Sequence, residues 1–277
     1  MYKNSKVILI EEGVILIYPF FDKFCYNNAM KDVEQNYEDF ISTVSHELRT
    51  PLTSIRGFSQ TMLSSWDRLD DESKKKFIKI IEDQSNRLIH LVENMLSVTK
   101  LQAKNGNLVY SEMSVKPIIE QTISIVKTQY PAQCFEFKCS QNLPDLFVDK
   151  DKFQQIMTNL IENSAKYSTG DNKTEILAGM DNNKVFIRVS NTGIPIEPED
   201  YEKIFTKFAR IDNPLTRKVQ GSGLGLYITK TLVEKMCGEI SVISTPQQSD
   251  SKLAQIAFTI EFPVLSIEEQ ARIKCNQ

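Results

Sequence analysis

Residues 45–54 read SHELRTPLTS, and they lie inside a run of apolar residues spaced three and four positions apart. The run extends over residues 33–65 and is typical of an amphipathic helix with one apolar stripe. On a helical wheel, His46 falls nearly opposite this stripe and Thr50 lies on the same side, so both are expected to face solvent. Pro51 is expected to kink the helix just after the histidine. The stripe consists of Phe40, Val44, Leu48, Leu52, Ile55, Phe58 and Met62.

A second amphipathic helix is predicted directly downstream. The sequence WDRLDD interrupts the first pattern, and Asp70 or Asp71 can cap a new helix. Its seam alternates steps of four and three residues through Phe77, Ile81, Gln84, Leu88, Leu91, Met95 and Val98. Two such helices with a short connection form an antiparallel hairpin, but one hairpin cannot bury both stripes. We therefore expect a homodimer that forms a four-helix bundle.

The helical pattern ends at residues 103–107, AKNGN, which are turn formers and predict a domain boundary. Mixed helical and strand patterns follow, with mostly antiparallel strands, and these predict an α+β sandwich. The predicted helices cover residues 115–130, 151–167 and 224–236. The predicted strands cover residues 135–139 and 175–178, residues 184–190, and the segments EISVIS and AQIAFTIEFP.

Composition excludes several classes of protein. The net charge is -3, the sequence pI is about 5.6, and the Lys and Arg residues are scattered, so no nucleic-acid partner is expected. The five cysteines are an odd number without a C-x-x-C pair, which argues against a disulfide framework or a zinc site and suits a reducing cytoplasm. The longest apolar run, residues 13–21, is too short to span a bilayer. Residues 7–21 instead predict one or two strands.

Polar side chains recur along one face of the predicted helix at residues 151–167. Asn159, Asn163 and Lys166 are separated by steps of four and three, away from the apolar face. Amide oxygens can coordinate Mg²⁺, a lysine can contact phosphate, and the adjacent Tyr167 can cover a base. The spacing of the asparagines alone favours an ordinary capped surface helix.

A glycine-rich segment, GSGLGL, opens the last predicted helix. Its glycines Gly221, Gly223 and Gly225 would let backbone N–H groups and the positive helix end face an anion such as phosphate. Taken alone, the pattern also fits a dinucleotide-binding turn or an ordinary loop, although no strand and acidic ribose binder accompany it. Upstream, IFTKFAR contains Phe205 and Phe208, which can be core anchors, site residues or both.

Together these segments resemble the motifs of sensor histidine kinases, in the family's order, from about Tyr37 to Pro263. Residues 45–51 resemble the H-box, QQIMTNLIENSAKYS the N-box, IFTKFAR the F-box and GSGLGL the G2-box. The resemblance implies an antiparallel helical hairpin that forms a dimeric four-helix bundle, followed by an α/β-sandwich ATP-binding domain of the Bergerat type. It also implies ATP and Mg²⁺ as cofactors and a response-regulator receiver domain as partner.

The resemblance assigns roles residue by residue. His46 would take the γ-phosphoryl group of ATP, Glu47 would assist by hydrogen bonding one ring nitrogen, and Thr50 would position water for dephosphorylating the partner. Asn163 would coordinate Mg²⁺. The remaining nucleotide contacts would come from Asn159, Lys166, Tyr167, Asn191, Gly193, Phe208, Gly221, Gly223 and Gly225.

The chain departs from the family at the G1-box, which is usually D-x-G-x-G. Here the sequence reads NTGIP, with Asn191 in place of the aspartate that binds the adenine amine, and Pro195 in place of a glycine. A neutral hydrogen bond is worth about 0.5–1.5 kcal/mol, against about 1.5–3 kcal/mol for a charged one. We therefore expect weaker ATP binding. Pro195 is expected to restrict the movement of the ATP lid, the segment of the family that carries the F-box.

Four segments are predicted. Residues 1–36 have an unknown role, residues 37–102 form the dimerisation and phosphotransfer domain, residues 108–265 form the catalytic domain, and residues 266–277 form a tail. We favour an active cytoplasmic kinase, since the H-box, the N-box and the G2 glycines are retained. The alternative is a weak or inactive signalling module that dimerises and binds or dephosphorylates a regulator. The stimulus would arrive through a sensor or membrane partner of the first segment, or from further parts of a longer sensor.

Overall fold

The computed structural model describes most of the chain. The described residues are 9–10, 13–14, 19–102, 108–169, 172–209, 222–247 and 252–275. The chain divides into two compact units, residues 1–88 and residues 89–277. The predicted boundary segment at residues 103–107 lies outside the described residues.

The N-terminal region contains both strand and helix. Strands β1 (Leu9–Ile10) and β2 (Gly13–Val14) pair in antiparallel fashion, so part of the predicted strand segment is extended. Helix α1 (Pro19–Ser65) then begins well before the predicted start, and residues 19–21 are helical rather than extended. A proline is tolerated in the first turn because its missing N–H would have no partner within the helix there. The helix continues on both sides of Pro51.

A short 3-10 turn (Trp66–Arg68) leads into helix α2 (Asp71–Gln102). The Ser73 N–H donates to the Asp70 carboxylate at 2.7 Å, which makes Asp70 the capping residue of α2. Hydrogen bonds from Ser73 lower the pKa of this carboxyl group. One of the two predicted caps is therefore the observed one.

The two helices form an antiparallel hairpin, as the sequence predicts. Phe58 of α1 packs on Phe77 of α2 with 5.2 Å between ring centroids, and Glu47, earlier in α1, contacts Arg87, later in α2. From Phe58 back to Glu47 along α1, the contacted residue moves forward along α2, from Phe77 to Arg87. The two helices therefore run in opposite directions.

The second unit is built on a five-stranded sheet. Its strands are β4 (Cys134–Cys139), β6 (Lys173–Asp181), β7 (Lys184–Gly193), β8 (Glu239–Pro246) and β9 (Ala254–Pro263), which follow β3 (Tyr110–Met113) and β5 (Leu146–Asp149) in the numbering. The order in the sheet is β4-β6-β7-β9-β8, with β4 parallel to β6 and the other neighbours antiparallel. The sequence does not predict β3 and β5, which form a separate antiparallel pair.

Helices cover one face of this sheet. They are α3 (Val115–Gln129), α4 (Lys150–Tyr167) and α5 (Gly225–Lys235), and a final helix, α6 (Ile267–Cys275), follows β9. Alternate residues of β7 from Val185 to Asn191 are buried, and Phe153 of α4 lies 6.0 Å from Phe262 of β9, measured between ring centroids. The architecture is therefore the predicted α/β sandwich, preceded by the helical hairpin. Among the described residues, no helix is apolar over enough length to cross a membrane.

Candidate functional site

His46 lies on the exposed side of α1, as the helical wheel predicts. Its side chain and that of Thr50 are both exposed in the hairpin. The Thr50 hydroxyl donates to the backbone carbonyl of His46 at 3.2 Å, as is common for threonine inside a helix. The imidazole is thus accessible to a phosphoryl donor, and Thr50 lies one turn further along the same surface.

Glu47 makes a different contact from the one expected. Its carboxylate accepts from Arg87 of α2 at 3.1 Å, and the two side chains are only 19% and 23% exposed. Adjacent residues on a helix do not face each other, so Glu47 lies against α2 while His46 faces solvent. In this structure Glu47 therefore links the two helices rather than orienting the His46 ring. No pattern in the sequence indicates Arg87, because this partner lies forty residues away on another helix.

The N-box helix α4 is fixed at its start by Asp149. One carboxylate oxygen of Asp149 accepts from the Lys152 N–H at 3.0 Å, as an N-cap. The other accepts from the Val109 N–H at 2.8 Å. A single carboxylate thus holds the first turn of α4 to the chain entering β3, and this sets the position of the polar face of α4.

Asn159 joins the N-box helix to the glycine-rich helix. Its amide N–H donates to the hydroxyl of Thr229 on α5 at 2.6 Å, and Thr229 is buried. Gly225 lies against the amide oxygen of Asn159 so closely that a methyl group at this position would collide with it. Asn159 therefore holds α4 and α5 together. Sequence reasoning missed Thr229, since it belongs to no recognised motif.

The other N-box residues gather at the C-terminal end of α4. Asn163, Lys166 and Tyr167 are partly buried, and the Lys166 ammonium lies 5.9 Å from the centroid of the Tyr167 ring. Burial raises the pKa of the neighbouring Glu162, and the electrostatic influence of the nearby His90 and Lys166 opposes this rise. Glu162 is a further titratable group at this site that the sequence did not single out.

The G1 segment meets the end of α4. A methyl group at Gly193 would lie 2.8 Å from the backbone oxygen of Tyr167, so only glycine permits this approach. The Thr169 N–H donates to the Thr192 carbonyl at 2.8 Å. The Asn191 amide nitrogen donates to the same carbonyl at 3.2 Å, and Asn191 is 6% exposed. The structure thus brings Gly193 against Tyr167, and the Thr192 carbonyl accepts from both Asn191 and Thr169.

A polar cavity of about 390 Å³ lies at the same end of the sheet. Asn191 and Thr192 border it, together with Lys173 and Glu175 of β6, whose side chains alternate with buried residues that face the helices. The side chains of the N-box helix do not line it. The cavity is therefore separate from the polar face of α4.

The two aromatic residues of the F-box differ in their surroundings. Phe205 is buried and packs edge-on against Phe258, with 6.3 Å between ring centroids, which is the role of a core anchor. Phe208 has a positive φ of 61° and is only partly buried. Gly223 also has a positive φ, of 66°, and a methyl group there would lie 2.6 Å from the carbonyl carbon of Phe208. The backbones at Phe208 and Gly223 are thus in direct contact.

The start of α5 suits an anion. Its N-cap residue is Leu224, whose side chain cannot accept hydrogen bonds, and the first turn contains no acidic residue. The Leu224 N–H donates to the Ser222 hydroxyl at 3.3 Å. Within the first turn of α5, therefore, no carboxylate offsets the positive end of the helix dipole. Gly221 lies outside the described residues.

Magnesium would depend on few protein groups. Within the part of the chain that the structure describes, no three His, Cys, Asp or Glu residues cluster as metal ligands. The amide of Asn163 is an oxygen donor of the kind that Mg²⁺ accepts, and Mg²⁺ commonly completes its shell with water and substrate phosphates. The residues present therefore fit a metal that arrives with a nucleotide.

Comparisons with known families agree with this geometry. The family model "His Kinase A (phospho-acceptor) domain" matches residues 37–104, and "Histidine kinase-, DNA gyrase B-, and HSP90-like ATPase" matches residues 148–265. The chain belongs to the histidine kinase family. Both matches fall on the segments that carry the H-box and the nucleotide motifs.

Curated histidine kinases share the sequence over most of this chain. The signal transduction histidine-protein kinase ArlS of Staphylococcus haemolyticus is 30% identical over 226 residues, which is 80% of this chain and 50% of ArlS. The sensor histidine kinase WalK of Bacillus subtilis is 31% identical over 271 residues, which is 94% of this chain and 42% of WalK. The chain thus spans half or less of the length of these relatives.

Solved histidine kinases share the fold. The crystal structure of histidine kinase ThkA in complex with the response regulator protein TrrA matches with a TM-score of 0.66 and 25% identity, covering 91% of this chain and 69% of that chain. The histidine kinase AdeS of Acinetobacter baumannii matches with a TM-score of 0.59 and 21% identity, covering 80% of this chain and 98% of that chain. The second likeness concerns the fold alone.

Proposed function

We propose that this chain is the phosphoacceptor and catalytic part of a sensor histidine kinase, which transfers the γ-phosphoryl group of ATP to His46. The observation that carries the proposal is the Asn159–Thr229 hydrogen bond. It holds the N-box helix against the glycine-rich helix, so that the amides and lysine of α4 and the positive end of α5 belong to one site. The exposed imidazole of His46 supplies the acceptor.

The chemistry follows from these groups. Lys166 and the N–H groups at the start of α5 would bind phosphate oxygens, and Tyr167 would pack on the base. Mg²⁺, when bound with the nucleotide, offsets phosphate charge. A neutral ring nitrogen of His46 would attack the γ-phosphorus, the bond to the β–γ bridging oxygen would break, and ADP would leave. The products are ADP and phosphohistidine.

Autophosphorylation with γ-labelled ATP and Mg²⁺ tests the proposal. The parent chain is expected to acquire acid-labile label, and His46→Ala is expected to remove it. His90→Ala is the matched control, because His90 is also an exposed histidine on the helical hairpin. Label that survives in His46→Ala, or that is lost equally in His90→Ala, would contradict the assignment of the acceptor.

A response regulator is the proposed recipient of the phosphoryl group. The likeness to ThkA, solved with the response regulator protein TrrA, supports this partner class. A purified receiver domain with its phosphorylatable aspartate should remove label from phosphorylated His46 and become labelled itself. A receiver with that aspartate changed to alanine should leave the label on His46.

Exposed apolar residues support a dimer. Along the hairpin helices, several large apolar side chains are 42–85% exposed: Ile41, Leu52, Leu63, Ile78, Ile89, Val92 and Leu96. A second copy of the hairpin would bury such residues in a four-helix bundle. Light scattering is expected to give twice the monomer mass, and replacing Leu52 and Ile78 by Glu should reduce the measured mass.

Phosphatase action is the second candidate function. Thr50 is exposed one turn from His46, where it could position water, and Asn191 weakens the expected hold on ATP. Release of phosphate from a phosphorylated receiver, measured with and without Thr50→Ala, distinguishes this action from kinase activity. The domain limits, the cytoplasmic location and the sensor partner stay predictions.

A further inference from the structure

The purine specificity of the nucleotide site depends on what the G1 residue can donate and accept. The 6-amino group of adenine donates hydrogen bonds, whereas the 6-oxo group of guanine accepts them. An ionised carboxylate only accepts, so an aspartate that faces the 6-position of the base favours adenine over guanine. A primary amide has an oxygen that accepts and a nitrogen that donates. Asn191 can therefore pair with either base if its amide can turn over.

The surroundings of Asn191 allow the amide to turn over. In this structure its nitrogen donates to the Thr192 carbonyl at 3.2 Å, and its oxygen has no partner among the described residues. The Thr192 carbonyl also accepts from the Thr169 N–H at the shorter distance of 2.8 Å. When the Asn191 amide reverses, that carbonyl keeps its better donor. Reversal therefore gives up one neutral hydrogen bond at the long end of the usual range.

The neighbouring hydroxyl groups are equally adaptable. The hydroxyls of Ser168 and Thr169 are buried, and neither has a hydrogen-bond partner among the residues that the structure describes. They follow Tyr167 directly and lie beside the G1 segment, as the Thr169–Thr192 bond shows. A hydroxyl rotates to donate or to accept. Two buried groups beside Asn191 thus carry unused hydrogen-bonding capacity of both kinds.

Glu175 carries the carboxylate nearest to Asn191 in the strand pairing, but it does not restore a preference for adenine over guanine. Glu175 of β6 pairs with Ser190, the neighbour of Asn191, and its side chain alternates with the buried Thr174. It therefore points to the opposite face of the sheet, where it contacts Lys173 at 2.7 Å. The described side-chain groups that adjoin the Thr192 carbonyl or follow Tyr167 directly are the amide of Asn191 and the hydroxyls of Ser168 and Thr169.

We propose that the base subsite of this chain accepts guanine as well as adenine, so that GTP is a second phosphoryl donor for His46. The proposal rests on the proposed function, because it concerns the same nucleotide site. At the 6-position, the penalty for guanine is the loss of one neutral hydrogen bond, which corresponds to about a two- to tenfold loss of affinity. An aspartate at the same position would instead place a carboxylate, which only accepts, against the 6-oxo group of guanine, which also accepts.

Displacement of trinitrophenyl-ATP by ATP and by GTP, in the presence of Mg²⁺, tests this specificity. We expect GTP to bind the parent within about tenfold of ATP. Asn191→Asp is expected to increase that ratio by at least about tenfold, since the acceptor-only group discriminates. Asn182→Asp is the matched control, because it adds the same charge at an exposed turn between β6 and β7 and should leave the ratio unchanged.

The outcomes separate this inference from the proposed function. ATP binding with GTP weaker by more than about tenfold in the parent would overturn the inference and leave the kinase proposal intact. A ratio that Asn191→Asp does not change would also overturn it, because Asn191 would not set the specificity. Failure of both nucleotides to bind the parent would contradict the proposed function itself. Label from γ-labelled GTP on the parent, absent from His46→Ala, would add direct support.

Discussion

Replacement of Gly225 by alanine should damage the nucleotide site through Asn159. The new methyl group would collide with the Asn159 amide oxygen, so this side chain must move. Its hydrogen bond to Thr229 at 2.6 Å would then be lost. Thr229 is only 1% exposed, and water cannot readily replace its lost partner. The contact between α4 and α5 should therefore loosen.

The size of the effect can be worked out from this geometry. Leaving a buried hydroxyl without its partner costs about 1–3 kcal/mol. Alanine gains up to about 1 kcal/mol over glycine inside a helix, but Gly225 is the first residue of α5, where the gain is smaller. The expected net loss of stability is about 1–2 kcal/mol, which lowers Tm by about 2–8 °C for a unit of this size. ATP affinity should fall as well.

Calorimetric unfolding and ATP titration of the full chain measure both effects. Gly57→Ala is the matched control, because Gly57 lies within α1 and a methyl group there would meet nothing within 4 Å. The control should stabilise its helix by about 0.5–1 kcal/mol and leave ATP affinity unchanged. Parent-like Tm and affinity in Gly225→Ala would refute the reasoning, since the collision with Asn159 would then have no consequence.

Three further outcomes are expected. Arg87→Gln should destabilise the hairpin by about 1.5–3 kcal/mol, because Glu47 loses a charged partner in a partly buried position. When Glu47→Gln is added to the same chain, part of this loss should be recovered, as a double-mutant cycle of thermal unfolding would measure. Asp70→Ala should lower the Tm of the chain at neutral pH, because α2 loses its ionised cap. The difference in Tm between parent and variant should vanish as the pH falls below the lowered pKa of Asp70, where the parent also loses the ionised cap. Tyr110 should keep its phenolic proton up to about pH 12, since burial raises its pKa to about 12. An ultraviolet titration that compares the parent with Tyr110→Phe should therefore show no tyrosinate absorbance from Tyr110 near pH 10.

Periodicity predicted the long elements because each carries one continuous apolar face. The stripe of α1, the seam of α2 and the apolar face of α4 repeat over several turns. The strands β7 and β9 have ten residues each, and buried positions alternate with less buried ones along much of their length. The strands β3 and β5 have four residues each, and all four residues of β5 are buried, so no alternation distinguishes them. Local pattern is too short there to indicate a strand.

Some features of the candidate site have local causes that the sequence shows, and others depend on contacts between distant residues. Exposure of His46 follows from its place on one helix, and the wheel predicts it. The contacts that Glu47 and Asn159 make depend on how separate helices pack, across forty residues to Arg87 and seventy to Thr229. A single sequence carries no signal for such pairs.

The contact between Phe208 and Gly223 has a consequence for the length of chain between them. The backbones of these residues touch, although fifteen positions separate them in the sequence. For a chain closed in this way, the entropy of closure grows only with the logarithm of its length, and doubling the number of residues costs about 0.6 kcal/mol. We therefore expect an insertion between Phe208 and Gly223 to cost far less stability than a side chain at Gly223, because the side chain would break the contact itself.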